Sequence, residues 1–306
     1  MYYRPEGSLI KSAENAMYIA NYERLSEAMD KEIILEARVA VCSSTHDLIV
    51  DLPCGKGIIP RNEGAIGISE GKTRDIALIS RVNKPVCFIV TDVRKNDSGT
   101  VSAVLSRKKV QEKCLAEYIE NLRSGDIIDA RVTHLEQFGC FVDIGCGISS
   151  MIPIDMISVS RISHPEDRFK VGQYIKAVVK SKENSRILLS HKELLGTWEE
   201  NASVYSAGET VAGTVRSIEE YGIFVELAPN LAGLAELRDN VMPGQQVSVY
   251  IKAIIPEKMK IKLVIVDTCE SMDEQPKMKY FISCGHIDKW NYASAASGRE
   301  LLTEFN

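Results

Sequence analysis

The chain repeats itself, and repetition narrows the folds open to it more than any single motif does. Gly125-Asp-Ile-Ile opens one block and Gly208-Glu-Thr-Val opens the next, 83 residues on. Inside them, Phe138-Gly-Cys-Phe141-Val-Asp-Ile matches Tyr221-Gly-Ile-Phe224-Val-Glu-Leu at the same offset of 83. Farther along, Val171-Gly-Gln-Tyr-Ile matches Pro243-Gly-Gln-Gln-Val at an offset of 72, so the later block lacks 11 residues of one loop. A more divergent copy precedes both. Leu48-Ile-Val-Asp-Leu52 stands where Cys140-Phe-Val-Asp-Ile144 stands, and Leu105-Ser-Arg-Lys108 where Leu189-Ser-His-Lys192 stands.

The texture within each copy is that of strands: short runs of Val, Ile and Phe separated by Gly, Asn and Asp turns. Short copies with about five strands each suit a small closed Greek-key barrel of the OB type. The expected architecture is mainly β, with five-stranded OB-type barrels in tandem and short connecting helices. The blocks are residues 33–109, 124–193 and 208–268. Residues 1–32 read as an N-terminal helical segment, with Leu9, Ala13, Ala16, Met17, Ala20 and Met29 at helical spacing over 9–30. Residues 110–123 read as a linker helix with Val110, Cys114, Leu115, Tyr118, Ile119 and Leu122 on one face. A connector carrying Trp198 joins the second and third blocks, 270–278 read as a linker, and 279–306 form a small C-terminal element of no assignable fold.

Charge rules out an indiscriminate polyanion binder. The net charge is −5. Residues 33–109 carry 12 Lys/Arg against 8 Asp/Glu, 124–193 carry 9 against 9, and 208–268 carry 6 against 8. No block has the basic excess that holds nucleic acid by charge alone, so a nucleic-acid reading has to lean on stacking. The eight cysteines include no Cys-x-x-Cys pair, the expectation for reduced thiols in a cytoplasmic protein. The N-terminus lacks the apolar stretch of a signal peptide, and no 18-residue apolar run suggests a membrane-spanning helix.

Phe138-x-x-Phe141 is the constellation with chemical content. On a regular strand, i and i+3 point to opposite faces, and the glycine at 139 is expected to permit a bend that turns both rings outward. Two exposed rings on a barrel face make a platform for unpaired bases. Aromatics on strands are usually core. Against that, the pattern recurs as Tyr221-x-x-Phe224, and a tyrosine hydroxyl suits a wet surface better than a core. Arg186, Lys180 and Lys182 stand near the last strands of the second block and can face phosphates, although lysines and arginines on strands are by default solvated. The loop Arg161-Ile-Ser-His164-Pro165 offers a further cation and a stackable imidazole.

These blocks resemble the S1-type RNA-binding domain family. The second carries the most specific match, through Gly125-Asp-Ile-Ile-Asp-Ala-Arg-Val, Phe138-Gly-Cys-Phe141-Val-Asp-Ile, Arg161-Ile-Ser-His-Pro165, Arg168-Phe-Lys-Val-Gly-Gln173 and Arg186-Ile-Leu-Leu-Ser190. The resemblance covers about residues 33–267. It implies that the family's two platform aromatics fall on Phe138 and Phe141, and on Tyr221 and Phe224. Its basic residue before the last strand falls on Arg186 and Lys260. A histidine common in the family after an apolar run is Pro153 here, and a carboxylate found in some members is Lys182. In the first block the platform positions are His46 and Ile49, of which the isoleucine is expected in the core.

The resemblance implies single-stranded RNA as partner, messenger RNA in translation above all. It also implies a docking or structural role for residues 33–109, with the small ribosomal subunit as partner. Two other readings use the same barrels: a protein-binding scaffold, favoured by the acidic third block, and a post-transcriptional regulator away from the ribosome. No enzyme, cofactor or metal is expected. Gly67-Ile-Ser-Glu-Gly71-Lys-Thr has one residue too few for a phosphate-binding loop, Cys284 and His286 lack further ligands, and His134, His164 and His191 are too dispersed for zinc.

Overall fold

A computed structural model describes residues 3–96, 99–183, 186–269 and 278–305. Most of the expected linker 270–278 therefore lies outside the described residues. Three closed barrels of five strands each follow one another. The first contains β1 (Leu35–Cys42), β2 (Leu48–Leu52), β3 (Gly55–Ile59), β4 (Pro85–Lys95) and β5 (Val101–Ser106). The second contains β6 (Ile127–Glu136), β7 (Gly139–Asp143), β8 (Ser149–Pro153), β9 (Tyr174–Glu183) and β10 (Arg186–Ser190). The third contains β11 (Thr210–Glu219), β12 (Gly222–Ala228), β13 (Leu231–Ala235), β14 (Gln246–Ile255) and β15 (Lys260–Cys269).

Each barrel has the same strand order, with the fifth strand between the third and fourth. In each, the third and fifth strands pair parallel while the long fourth strand pairs antiparallel with the fifth. That shared connectivity is the OB barrel expected from the repeats. Alternation fills the interiors. In β2, Leu48, Val50 and Leu52 are buried and Asp51 is exposed; in β15, Ile261, Leu263 and Ile265 are buried while Lys260, Lys262, Val264 and Val266 face out.

The segment expected as one helix over 9–30 is two, α1 (Ala13–Tyr18) and α2 (Tyr22–Asp30). The break has a local cause. Ser12 and Asn21 both take β backbone angles and accept from the amides of Asn15 and Arg24, so a second N-cap interrupts the helical run. A four-residue helix, α3 (Ile76–Ile79), lies between β3 and β4. The linker helix, α4 (Lys108–Glu117), starts earlier than its apolar spacing suggests and ends in a 3-10 turn at Ile119–Asn121. In the connector, α5 (Trp198–Ala202) is started by a capping box between Thr197 and Glu200, and Trp198 packs into the core of the third barrel.

The chain divides into two compact units. One comprises residues 1–122, 129–131 and 143–149; the other comprises 123–128, 132–142 and 150–306. The first unit is organised around a buried ion pair. Arg107 Nε and Nη2 donate to the Glu6 carboxylate at 2.6 and 3.0 Å, and the Arg81 guanidinium lies 3.3 Å from it. Asp143 accepts from the amides of Glu6, Gly145 and Gly147. Burial, and then the charge of Glu6, pushes the Asp143 carboxyl up to about 7.

The second unit has a polar hub at Asn230, in the turn between β12 and β13. Its side-chain oxygen accepts from the Val159 amide at 3.0 Å, and its amide nitrogen donates to the Lys192 and Gly196 carbonyls at 2.7 and 2.8 Å. The Tyr292 hydroxyl donates to its carbonyl at 2.6 Å. Nearby, buried Glu226 pairs with both Arg168 and Arg216. The C-terminal residues form a two-stranded sheet, β16 (Lys289–Asn291) and β17 (Leu302–Glu304), antiparallel with Trp290 opposite Thr303. Around it, Tyr280, Phe281, Ile287 and Phe305 dock on the same unit, with Ile127 and Ile287 tied by backbone hydrogen bonds to Gly285 and Gly125.

Candidate nucleic-acid interface

Phe138 does not sit on a strand. It closes the two-residue turn between β6 and β7, while Phe141 is the third residue of β7. This resolves the parity problem of an i, i+3 pair: only one ring obeys strand alternation. The glycine between them therefore has a different role from the expected bend. Gly139 is buried, and a Cβ there would lie 2.6 Å from the Ile152 carbonyl oxygen, so the residue permits close approach of β7 and β8. Gly222 repeats this at 2.6 Å from the Ala235 oxygen, with φ +148.

The rings meet edge to face in both barrels. Phe138 and Phe141 have centroids 5.9 Å apart at 90°, and Tyr221 and Phe224 have centroids 6.1 Å apart at 90°. Phe138 is 57% exposed and Tyr221 70%, while Phe141 and Phe224 are half-buried beneath them. Large exposed rings over a half-buried partner are costly to leave in water and offer π-faces to a flat ligand.

Strand register extends each platform into a row. In the third barrel, Ser217 pairs with Phe224, Phe224 with Leu234, and Leu234 with Lys262, across β11, β12, β13 and β15. The offset of 83 puts His134 and Met151 at the positions of Ser217 and Leu234, and Met151 pairs with Leu188. His134 is 62% exposed at its side chain and lies 6.3 Å from Phe141, inclined at 32°. Neither His134 nor Lys262 was singled out by motif. Both could have been found from strand period: Lys262 stands two residues beyond Lys260 and shares its face, and His134 precedes a two-residue hairpin as Ser217 does.

Among the sequence-derived candidates, Arg186 and Lys260 are exposed at the first positions of β10 and β15. Arg161 is exposed in the loop after β8. Lys180 has a partner of its own, its ammonium 4.9 Å over the Phe305 ring. His164 caps the 3-10 turn Pro165–Asp167, its Nδ1 accepting from the Glu166 amide at 3.2 Å.

In the first barrel the equivalent row is aliphatic. Val41 pairs with Ile49, Ile49 with Ile58, and Ile58 with Val104. Ile49, expected in the core, is half-buried on this outer row between exposed Val41 and Ile58; its neighbours Leu48 and Val50 point inward instead. His46 sits at φ +64 in the turn before β2, its ring 3.8 Å from Asp75. Among the described residues, no cluster of His, Cys, Asp and Glu is placed to hold a metal ion, and no helix is long and apolar enough to cross a membrane.

Residues 121–192 match the family model described as the S1 RNA binding domain. Together with the triplicated OB barrel, this defines a chain built of S1-type domains. Small ribosomal subunit protein bS1 of Staphylococcus epidermidis is 30% identical over 280 residues, covering 86% of this chain and 68% of that protein. The bS1 protein of Rhizobium meliloti is 29% identical over 284 residues, covering 87% of this chain and 48% of its own length. The chain belongs to the bS1 family. It spans about half to two-thirds of the length of these relatives. Among solved structures, a multidomain protein with nucleic acid binding domains from Streptococcus pneumoniae aligns over 79% of this chain and 75% of that one, at 13% identity and a TM-score of 0.26.

Proposed function

We propose that this protein binds single-stranded RNA, and specifically messenger RNA at the ribosome during translation in the cytoplasm. The observation that carries the reading is the repeated edge-to-face aromatic pair, its outer ring exposed at the same place on two successive barrels. Bases stack on Phe138 and Phe141 in one barrel and on Tyr221 and Phe224 in the next. Arg186, Lys260 and Lys262, with Arg161 on the loop after β8, supply cations for the phosphates. Stacking reads a π-face that every base has, so the binding is tolerant of sequence, and the small number of cations gives it a shallow salt dependence. Two modest sites on one chain gain from effective concentration. The role is one of binding, not of catalysis.

A second reading concerns the first barrel alone. Its row of Val41, Ile49, Ile58 and Val104 replaces the aromatic platform with aliphatic side chains, which suit a protein surface better than a base. Residues 33–109 are accordingly proposed as the contact with the small ribosomal subunit.

Fluorescence anisotropy with single-stranded and duplex RNA of equal length tests the main reading. The wild type is expected to prefer the single strand. The Phe138→Ala/Phe141→Ala variant, confirmed folded by circular dichroism, is expected to lose at least about tenfold in affinity, given roughly 1–3 kcal/mol per stacked base. Absence of binding by folded wild type at moderate salt would overturn the RNA reading and leave a protein-binding scaffold.

A further inference from the structure

The two aromatic platforms are not equivalent. Both have the perpendicular pair at nearly equal spacing. In the second barrel alone, a third ring flanks the half-buried member. His134 lies 6.3 Å from Phe141, on the strand opposite, and is inclined to it by only 32°. Phe141 thus stands between two exposed rings, Phe138 and His134, whereas Phe224 stands between Tyr221 and the small side chain of Ser217.

The imidazole is also held. Its Nε2 lies 2.6 Å from Oε1 of Glu136, two residues along the same strand. A carboxylate only accepts, so Nε2–H donates, and the contact favours one ring orientation before any ligand arrives. A ring already biased toward one orientation loses less freedom on stacking, which lowers the cost of binding through an exposed side chain.

We infer that His134 is a third base-stacking residue, so that the second barrel takes one nucleotide more than the third and is the tighter of the two RNA sites. This rests on the RNA reading above and adds a residue and a ranking to it. Among the rings and the residues flanking them on the preceding strand, the difference to be tested is His134 against Ser217.

The test uses the full chain and uridine oligonucleotides of graded length, followed by anisotropy. In a Tyr221→Ala/Phe224→Ala background, which leaves the second barrel to bind, His134→Ala is expected to weaken binding about fivefold or more, and His134→Phe to preserve it. In the reciprocal Phe138→Ala/Phe141→Ala background, Ser217→His is expected to strengthen binding by a similar factor. The length at which affinity stops rising should shorten by one nucleotide in His134→Ala. A His134→Ala change under twofold, or an equal loss in His134→Phe, overturns the third ring while leaving the RNA reading intact. A wild-type chain that binds none of the oligonucleotides overturns both.

Discussion

Asn230 should be among the most sensitive positions of the second unit. The side chain is fully buried and makes three hydrogen bonds, one accepted from Val159 and two donated to Lys192 and Gly196. Asn230→Ala removes the two donated bonds, each worth about 1 kcal/mol net, and leaves the Val159 amide without its acceptor at about 1–3 kcal/mol. The expected loss is about 3–5 kcal/mol. Asn230→Asp has the same shape and keeps the acceptor, but turns a negative oxygen toward two carbonyls. It forfeits two bonds and buries a charge, so its loss should equal or exceed that of alanine despite the smaller change in volume.

The assay is built into the chain. Its two tryptophans, Trp198 and Trp290, are both buried in this unit, so intrinsic fluorescence during urea unfolding reports it selectively. For a unit of this size, a loss of that order lowers the melting temperature by roughly 10 °C or more. An Asn230→Ala variant within about 1 kcal/mol of wild type, or an aspartate variant milder than alanine, would refute the argument that these bonds organise the unit.

Three further outcomes follow from the same structure. Arg107→Met leaves Glu6 buried with Arg81 as its remaining cation; about 3–5 kcal/mol should be lost from the first unit, read as reduced amide-exchange protection there, and Glu6→Gln in the same chain should restore part of it. Burial holds His191 down to about 4, so the folded state excludes a proton that the unfolded chain accepts below its ordinary value of about 6.5. The stability of the second unit is therefore full above about pH 6.5 and falls by about 3 kcal/mol as pH drops toward 4, a slope that His191→Gln should flatten in tryptophan-monitored urea melts. Lys260→Gln/Lys262→Gln should reduce the slope of log affinity against log salt by about 1.4, at about 0.7 per single-strand phosphate; an unchanged slope would place the phosphates elsewhere.

Much of the fold was legible because the repeats report it three times over. The offset of 83 aligned the aromatic pair and, with the strand texture, gave the barrels. What stayed hidden depends on partners far along the chain. Arg107 reads as one more surface cation until Glu6, 101 residues away, is brought against it. The contact of the Lys180 ammonium with the Phe305 ring was hidden in the same way. Gly139 suggested a backbone bend, whereas the neighbouring strand requires its missing side chain, a fact that only pairing reveals. The break between α1 and α2 was legible in principle, since Ser12 and Asn21 are both N-cap residues, but the apolar spacing runs through it. Ile49 was misread because composition favours a buried isoleucine, while strand parity between Leu48 and Val50 turns it outward.

The central claim is that bases stack on the paired rings of the second and third barrels. The most direct test is photocrosslinking of 4-thiouridine-substituted single-stranded RNA to the full chain, with the attachment sites mapped by mass spectrometry. Crosslinks at Phe138, Phe141, Tyr221 and Phe224, lost when duplex replaces the single strand, are the predicted result. Crosslinks confined to the first barrel or to the C-terminal sheet, with these four rings unlabelled, would contradict it.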